Sequence, residues 1–142
     1  MKKICSSKKC TGCGLCIANC PKKCISFEKG FLGHVYPVIN QKLCIDCGIC
    51  KSHCPMNSEL SLSHATKCFA TWAKDDKEYE TSTSGGVASV LSRHILNRGG
   101  VVYGCAMMNG VNVKHIRIDK TEDLHLLKGS KYVQSQIVDI IT

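Results

Sequence analysis

Eight of the twelve cysteines in this chain fall into one pattern written twice. The first copy is Cys10-x-x-Cys13-x-x-Cys16-x-x-x-Cys20-Pro21, and the second is Cys44-x-x-Cys47-x-x-Cys50-x-x-x-Cys54-Pro55. Thiolates at this spacing hold iron and inorganic sulfide as four-iron, four-sulfur cubanes. The first three cysteines of a run wrap three corners of one cubane, and the fourth, beside the proline, crosses to the other. The pattern therefore predicts two clusters, one on Cys10, Cys13, Cys16 and Cys54, the other on Cys44, Cys47, Cys50 and Cys20. Gly12, Gly14 and Gly48 let backbone N–H groups approach the sulfides. The fourth cysteine is expected to open a helix, because a proline is suited to a first turn that lacks an N–H partner. Crossed ligation ties the two halves together, so metal binding also supplies folding energy.

Other chemistries compete for the same thiols. Structural zinc also uses four cysteines, but as two separated C-x-x-C pairs, whereas here the third and fourth follow at once in both copies. A disulfide framework belongs to small exported domains, and the N-terminus carries no apolar signal core. A radical-type single cluster needs a different three-cysteine spacing, which is absent. With both ligand sets filled by cysteine, His34 and His53 are expected at the surface or beside the ligands. Cys5 stands outside the pattern as a spare thiol. Cys24 stands where a small apolar residue would pack against a cluster; it would also be placed to replace Cys20 were that ligand lost.

The elements around these runs must be small. A chain of 142 residues makes one ordinary domain or two small ones. Its first 62 residues are too polar and glycine-rich to cohere by apolar burial alone, which makes metal staples the expected remedy. No run approaches the ~20 apolar residues of a membrane span. The cysteine usage implies a reducing cytoplasm in a cell that avoids oxygen. The formal charge of +8 invites nucleic-acid binding, but residues 1–62 hold nine lysines against three carboxylates, an excess of +6 in the half that would carry the clusters. Two oxidised cubanes add about −2 each and bring the chain to about +4. The lysines then offset cluster charge or steer an acidic redox partner. No basic stripe interleaved with aromatics is present, so nucleic acid is not an expected partner.

Short strands are expected at Ile25–Phe27 and Val35–Ile39, with Phe31 and Tyr36 either shielding a cluster or simply packing. Ser58–His64 is a serine-rich linker. Beyond it, Cys68–Ala73 is expected as a strand and Asp75–Glu80 as a charged surface turn. Val87, Val90, Leu91 and Ile95 recur at helical spacing, with His94 at the middle of their face as a core histidine and Leu96 opposite. Ser82 or Ser84 would cap that helix, and Arg98-Gly99-Gly100 would end it. Val101–Met108 is apolar enough for a central strand. Asn109-Gly110 turns it back through Val111–Ile118, where a phase slip between Val113 and Ile116 hints at a bulge. Asp119 with Glu122 starts a helix that Gly129 stops. A Ser-Gly-Gly helix start at 84–86 offers N–H groups and a positive dipole end to a phosphate, with Lys131 adding charge. The same features equally suit a capped, closely packed helix. No Walker loop, dinucleotide fingerprint, Ser–His–Asp set or carboxylate pair is present, so no catalytic residue is assigned.

Taken together, the two cysteine runs, Ser82-Thr-Ser-Gly-Gly86, Gly99-Gly-Val-Val-Tyr-Gly104 and Gly129-Ser-Lys-Tyr-Val-Gln-Ser135 resemble the beta subunits of coenzyme F-420 (deazaflavin) hydrogenases and dehydrogenases. The resemblance implies electron flow between iron–sulfur clusters, a bound FAD and a deazaflavin or related acceptor. It implies Ser84, Gly85, Gly86 and Lys131 as contacts to flavin phosphate. Members of that family run on well past this length, so the chain is expected to be an N-terminal portion. The fold class expected is α+β, with a two-cluster ferredoxin-like domain over residues 1–62 and an incomplete α/β domain over 63–142. The function expected is an iron–sulfur electron-transfer module of a flavin-dependent oxidoreductase, partnered by a redox protein or the rest of that enzyme. The alternatives are a stand-alone ferredoxin-like carrier that docks partners, or a zinc-stapled interaction module.

Overall fold

A computed structural model describes residues 3–59 and 61–141. Met1, Lys2, Leu60 and Thr142 lie outside the described residues, and Leu60 falls within the expected linker. The chain divides into two compact units: Met1–Leu62 with Gln136–Thr142, and Ser63–Ser135.

In the first unit every element is short because the cysteine runs interrupt it. Two single-turn helices, α1 (Leu15–Ala18) and α2 (Ile49–Ser52), each carry the third cysteine of a run, Cys16 and Cys50, and end before the fourth. Each is entered through a left-handed glycine, Gly14 at φ 80° and Gly48 at φ 76°. Four-residue helices have no stability of their own in water. Strands β1 (Ile25–Lys29) and β2 (Val35–Ile39) pair antiparallel, from Ile25 opposite Ile39 to Lys29 opposite Val35. The helix expected at each fourth cysteine forms only in the second run, as a 3-10 turn over Pro55–Asn57. After Cys20 there is a turn alone, because Lys23 at φ 46° swings the chain into β1. The buried core is Ile4, Cys16, Cys24, Ile25 and Cys54. Three of those five side chains end in sulfur, so little hydrocarbon is available to hold the unit. Phe31 is fully exposed and shields nothing, whereas the Tyr36 ring lies against Gly30.

The second unit is built on a hairpin. Strands β3 (Val102–Met108) and β4 (Asn112–Ile118) pair in unbroken register from Val102 opposite Ile118 to Met108 opposite Asn112. Asn109 at φ 49° and Gly110 at φ 77° make the turn. No bulge occurs: the phase slip arises because Val113 is buried on one face of the ribbon while Ile118 is buried on the other. Because β3 and β4 form a two-stranded sheet, β3 is not a central strand. Helix α4 (Val87–Asn97) begins after Gly86 at φ 73°, without a side-chain cap, and ends at Arg98. Its buried residue is Leu96, which joins Ile118 and Leu124 in the core. The opposite stripe is open, with Leu91 62 % exposed, and His94 is exposed rather than a core residue. A two-stranded ribbon is wide enough to cover one face of α4 but not both. Residues 68–73 form no strand; their ordered tie is Ala73 N–H donating to Gly85 O at 2.6 Å. Asp76–Glu80 is a helix (α3) rather than a turn, capped by the Asp75 carboxylate. Thr121–Leu127 is 3-10, and Asp119 pairs with Arg117 instead of capping it. The final apolar stretch is likewise a 3-10 turn, Val138–Ile140.

Candidate metal centres

Folding the first unit sorts the cysteines across the two runs. One cavity is lined by Cys10, Cys13 and Cys16 of the first run together with Cys54 of the second. The other is lined by Cys44, Cys47 and Cys50 of the second run together with Cys20 of the first. The antiparallel β1–β2 pair carries the chain from one site to the other. Asn57 then fixes the returning end by donating to Ile4 O at 2.9 Å. The first cavity is nearly closed by its own side chains, leaving about 20 Å³; the second encloses about 370 Å³.

Each cavity holds a fifth thiol. Cys5 lines the first, alongside Cys54 and Cys10. Cys24 lines the second, its Sγ 3.5 Å from Cys20 Sγ and in contact with Cys44. The spacing places Cys24 near a cluster but gives no reason to expect Cys5 at one. Cys68 and Cys105 line neither cavity, nor do His34 and His53. His53 sits outside with Nδ1 3.1 Å from Ile49 O.

The electrostatics of the two sites differ. Among the described residues, Lys3, Lys22 and Lys51 line the second cavity against one carboxylate, Asp46, while no charged side chain lines the first. Burial pushes Cys16 up to about 11, with the neighbouring Cys13 adding to it. Burial likewise raises Cys50, Cys24 to about 11 and Cys5 to about 12. Burial acts upward on Cys20 too, but there the N–H groups of Cys24, Lys22 and Lys23 and the Cys24 side chain bring it below its ordinary value. Three amides converging on one sulfur are a ready site for a thiolate. Thiols that are protonated at neutral pH must shed protons when a metal binds, so loading either site releases acid.

The donor sets suit iron–sulfur clusters. Each cavity offers four sulfurs from the expected pattern, with left-handed glycines and open amides at the rim. A tetrahedral zinc with bonds of about 2.3 Å would draw its four sulfurs to about 4 Å from one another. Among the described residues no three of His, Cys, Asp and Glu converge on a single point in that way.

In the second unit, Ser84, Gly85 and Gly86 border a cavity of about 480 Å³ together with Lys128, Gly129 and Ser130. Lys131 does not line it: its Nζ donates to Lys128 O at 2.6 Å and Leu127 O at 3.1 Å, closing the end of the 3-10 helix. The cation at the cavity is Lys128, which sequence spacing does not single out. Its Nζ is already paired with the Glu78 carboxylate and donates to Thr81 Oγ1 at 2.8 Å. Glu78 is 6 % exposed and also binds Arg93 at 2.6 Å. Lys128, aided by Arg93, holds the Glu78 carboxyl below its ordinary range against the opposing effect of burial.

Among the described residues no helix is long and apolar enough to cross a membrane. No curated protein matches the chain. Residues 9–58, which span both cysteine runs and end before the second unit, match the family model of a 4Fe-4S dicluster domain. That stretch of the chain is thus similar to iron–sulfur dicluster domains, and such a domain suggests a role in electron transfer.

Proposed function

We propose that this chain carries electrons through two four-iron, four-sulfur clusters. One is held by Cys10, Cys13, Cys16 and Cys54, the other by Cys44, Cys47, Cys50 and Cys20. The observation that carries the proposal is the sorting of the eight cysteines into two cavities, each with three sulfurs from one run and the fourth from the other. When bound, each cluster supplies a one-electron couple whose potential depends on hydrogen bonds to sulfur, net charge and exposure. The protein contributes the rest. Short helices entered through Gly14 and Gly48 aim the third cysteine of each run inward. Amides of residues 22–24 stabilise negative charge on Cys20. Ile4, Ile25 and Cys24 keep water from the space between the sites. Lys3, Lys22 and Lys51 offset cluster charge at the second site and present a positive rim to an acidic redox partner.

The finer reading is that the module feeds a flavin in an oxidoreductase akin to the deazaflavin-dependent beta subunits, in a reducing cytoplasm. Its support is the Ser84–Gly86 cavity at the start of α4, faced by Gly129 and Ser130. In that reading Lys131 acts on the loop rather than on a phosphate, because its ammonium is taken up by backbone carbonyls. The second reading, a stand-alone ferredoxin-like carrier, is favoured by the pairing of Lys128, the cation lining that cavity among the described residues, with Glu78. Anaerobic purification with iron, sulfide and flavin quantification tests both. About four irons and four sulfides per cysteine run support the clusters. One zinc per run would overturn them. Stoichiometric FAD selects the oxidoreductase, and its absence selects the carrier.

A further inference from the structure

We infer that this chain exchanges electrons with an acidic redox protein through the second site, at a docking face centred on Leu43 and Ile45. The inference rests on the two-cluster reading above and deepens it by choosing between two sites that the repeated cysteine pattern makes equivalent.

The repeat is even in sequence and uneven in cover. Gly14 and Gly48 hold the same place in the two runs, directly after Cys13 and Cys47, and both are left-handed. A Cβ on Gly14 would lie 2.8 Å from Val138 Cβ and 3.3 Å from Phe27 Cζ, so β1 and the final 3-10 turn lie over the first loop. A Cβ on Gly48 would meet nothing within 4 Å among the described residues. Burial follows the same split: Gly12 and Gly14 are buried and Cys13 half-buried, whereas every residue from Ile45 to Gly48 is exposed. Of the eight cysteines in the pattern, Cys47 is the exposed one. Beside it Leu43 is 56 % and Ile45 59 % exposed, an apolar centre of the kind that interfaces bury inside a polar rim. Tunnelling falls steeply with distance, so the site with an exposed ligand is the one a partner can reach.

Charge selects the partner. Lys3, Lys22 and Lys51 line the second cavity with Asp46, and Lys23 and Lys42 are exposed in the segments that carry Lys22 and Leu43. Five lysines against one carboxylate leave this face cationic after an oxidised cluster's charge of about −2 is set against them. No charged side chain lines the first cavity, so nothing at its wall offsets a cluster there. An acidic protein is therefore steered to the second site in preference to the first. A second copy of this chain would bring lysine rim against lysine rim, which opposes self-association through the same face.

The test uses the full chain, loaded with clusters and handled anaerobically, with iron and sulfide counted in every variant first. The probe is an acidic flavodoxin, a one-electron carrier. Wild type is compared with Lys22→Glu/Lys51→Glu at the rim, Ile45→Ser at the centre, and Lys8→Glu/Lys9→Glu, exposed lysines that line neither cavity. Stopped-flow reduction of the flavodoxin by the pre-reduced protein should slow steeply with salt. At low salt the rim variant should be slower by about tenfold or more, with a flatter salt dependence. Ile45→Ser should be slower with the salt dependence kept, and Lys8→Glu/Lys9→Glu should match wild type. Amide hydrogen exchange on mixing with oxidised flavodoxin reads the contact without electron flow, and protection is expected at residues 42–51 but not at 8–14. Protection at 8–14 instead, an unaffected rim variant, or equal slowing by the two lysine pairs would overturn the docking face while leaving the two clusters in place. A dimer of the chain alone that Ile45→Ser dissolves would overturn it too, by making a second copy the occupant. Wild-type protein without iron and sulfide would remove the two-cluster reading as well.

Discussion

If ligation is crossed, losing Cys54 must empty the site of the first run, not that of its own. Cys54 lines the cavity of Cys10, Cys13 and Cys16 and is absent from the one lined by Cys44, Cys47 and Cys50. The perturbation is best made in the double variant Cys54→Ala/Cys5→Ala, because Cys5 lies against Cys54 in the same cavity. A second variant, Cys13→Ala, disables the first site from within its own run. With about four irons per cluster, each variant alone should retain about four of eight. Crossing makes the combined variant no worse than either, again about four irons, because both lesions strike one site. In-line ligation makes the lesions independent, and the combined protein should fall to about none. Iron and sulfide counts give the number, and electron paramagnetic resonance of the reduced proteins gives the identity, since all three crossed variants must display one and the same surviving spectrum. A combined variant stripped of iron, or two singles with different surviving spectra, would refute the crossing.

Three further outcomes follow from the packing. Removing iron anaerobically with a chelator should unfold the first unit, whose buried core is five side chains, three of them cysteine; retention of native circular dichroism in the iron-free protein would contradict this. A Cβ at Gly85 would lie 2.6 Å from Thr71 O and 3.2 Å from Trp72 Cα, backbone atoms that cannot yield locally. Gly85→Ala should therefore cost about 1–3 kcal/mol, seen as earlier thermal unfolding by the fluorescence of the single tryptophan, and an unchanged midpoint would show that the 71–73 segment is not held there. Glu78 has its carboxyl lowered chiefly by Lys128, so its contribution is present above the ordinary value of 4.5 and is lost as pH falls through the lower folded value. Glu78→Gln should abolish that acid-side dependence and cost about 1–3 kcal/mol at neutral pH, less than a fully buried pair because Arg93 is 45 % exposed. An acid limb of equal steepness in the variant would assign it elsewhere.

What the sequence determined by itself is local. The spacing of thiols along ten or so residues is a direct readout of how a loop can wrap a small inorganic cube, so the cluster chemistry needs no tertiary information. The β1–β2 and β3–β4 hairpins are equally local, the second set by Asn109 and Gly110, which take left-handed conformations at little cost. The helix over Val87–Asn97 follows from its periodicity. What only the tertiary structure decided depends on neighbours distant in sequence. Cys5, Cys10, Cys13 and Cys16 share a cavity with Cys54, which folds back to them from the second run. Lys128 rather than Lys131 reaches the Ser84–Gly86 cavity, and it meets Glu78, a residue that local pattern alone assigns to a charged surface turn. The exposed stripe of α4 and the exposure of His94 follow from the width of the sheet, which periodicity does not report. A pattern of apolar residues says which face of a helix can be covered; what covers it is settled by chain far from that helix in sequence.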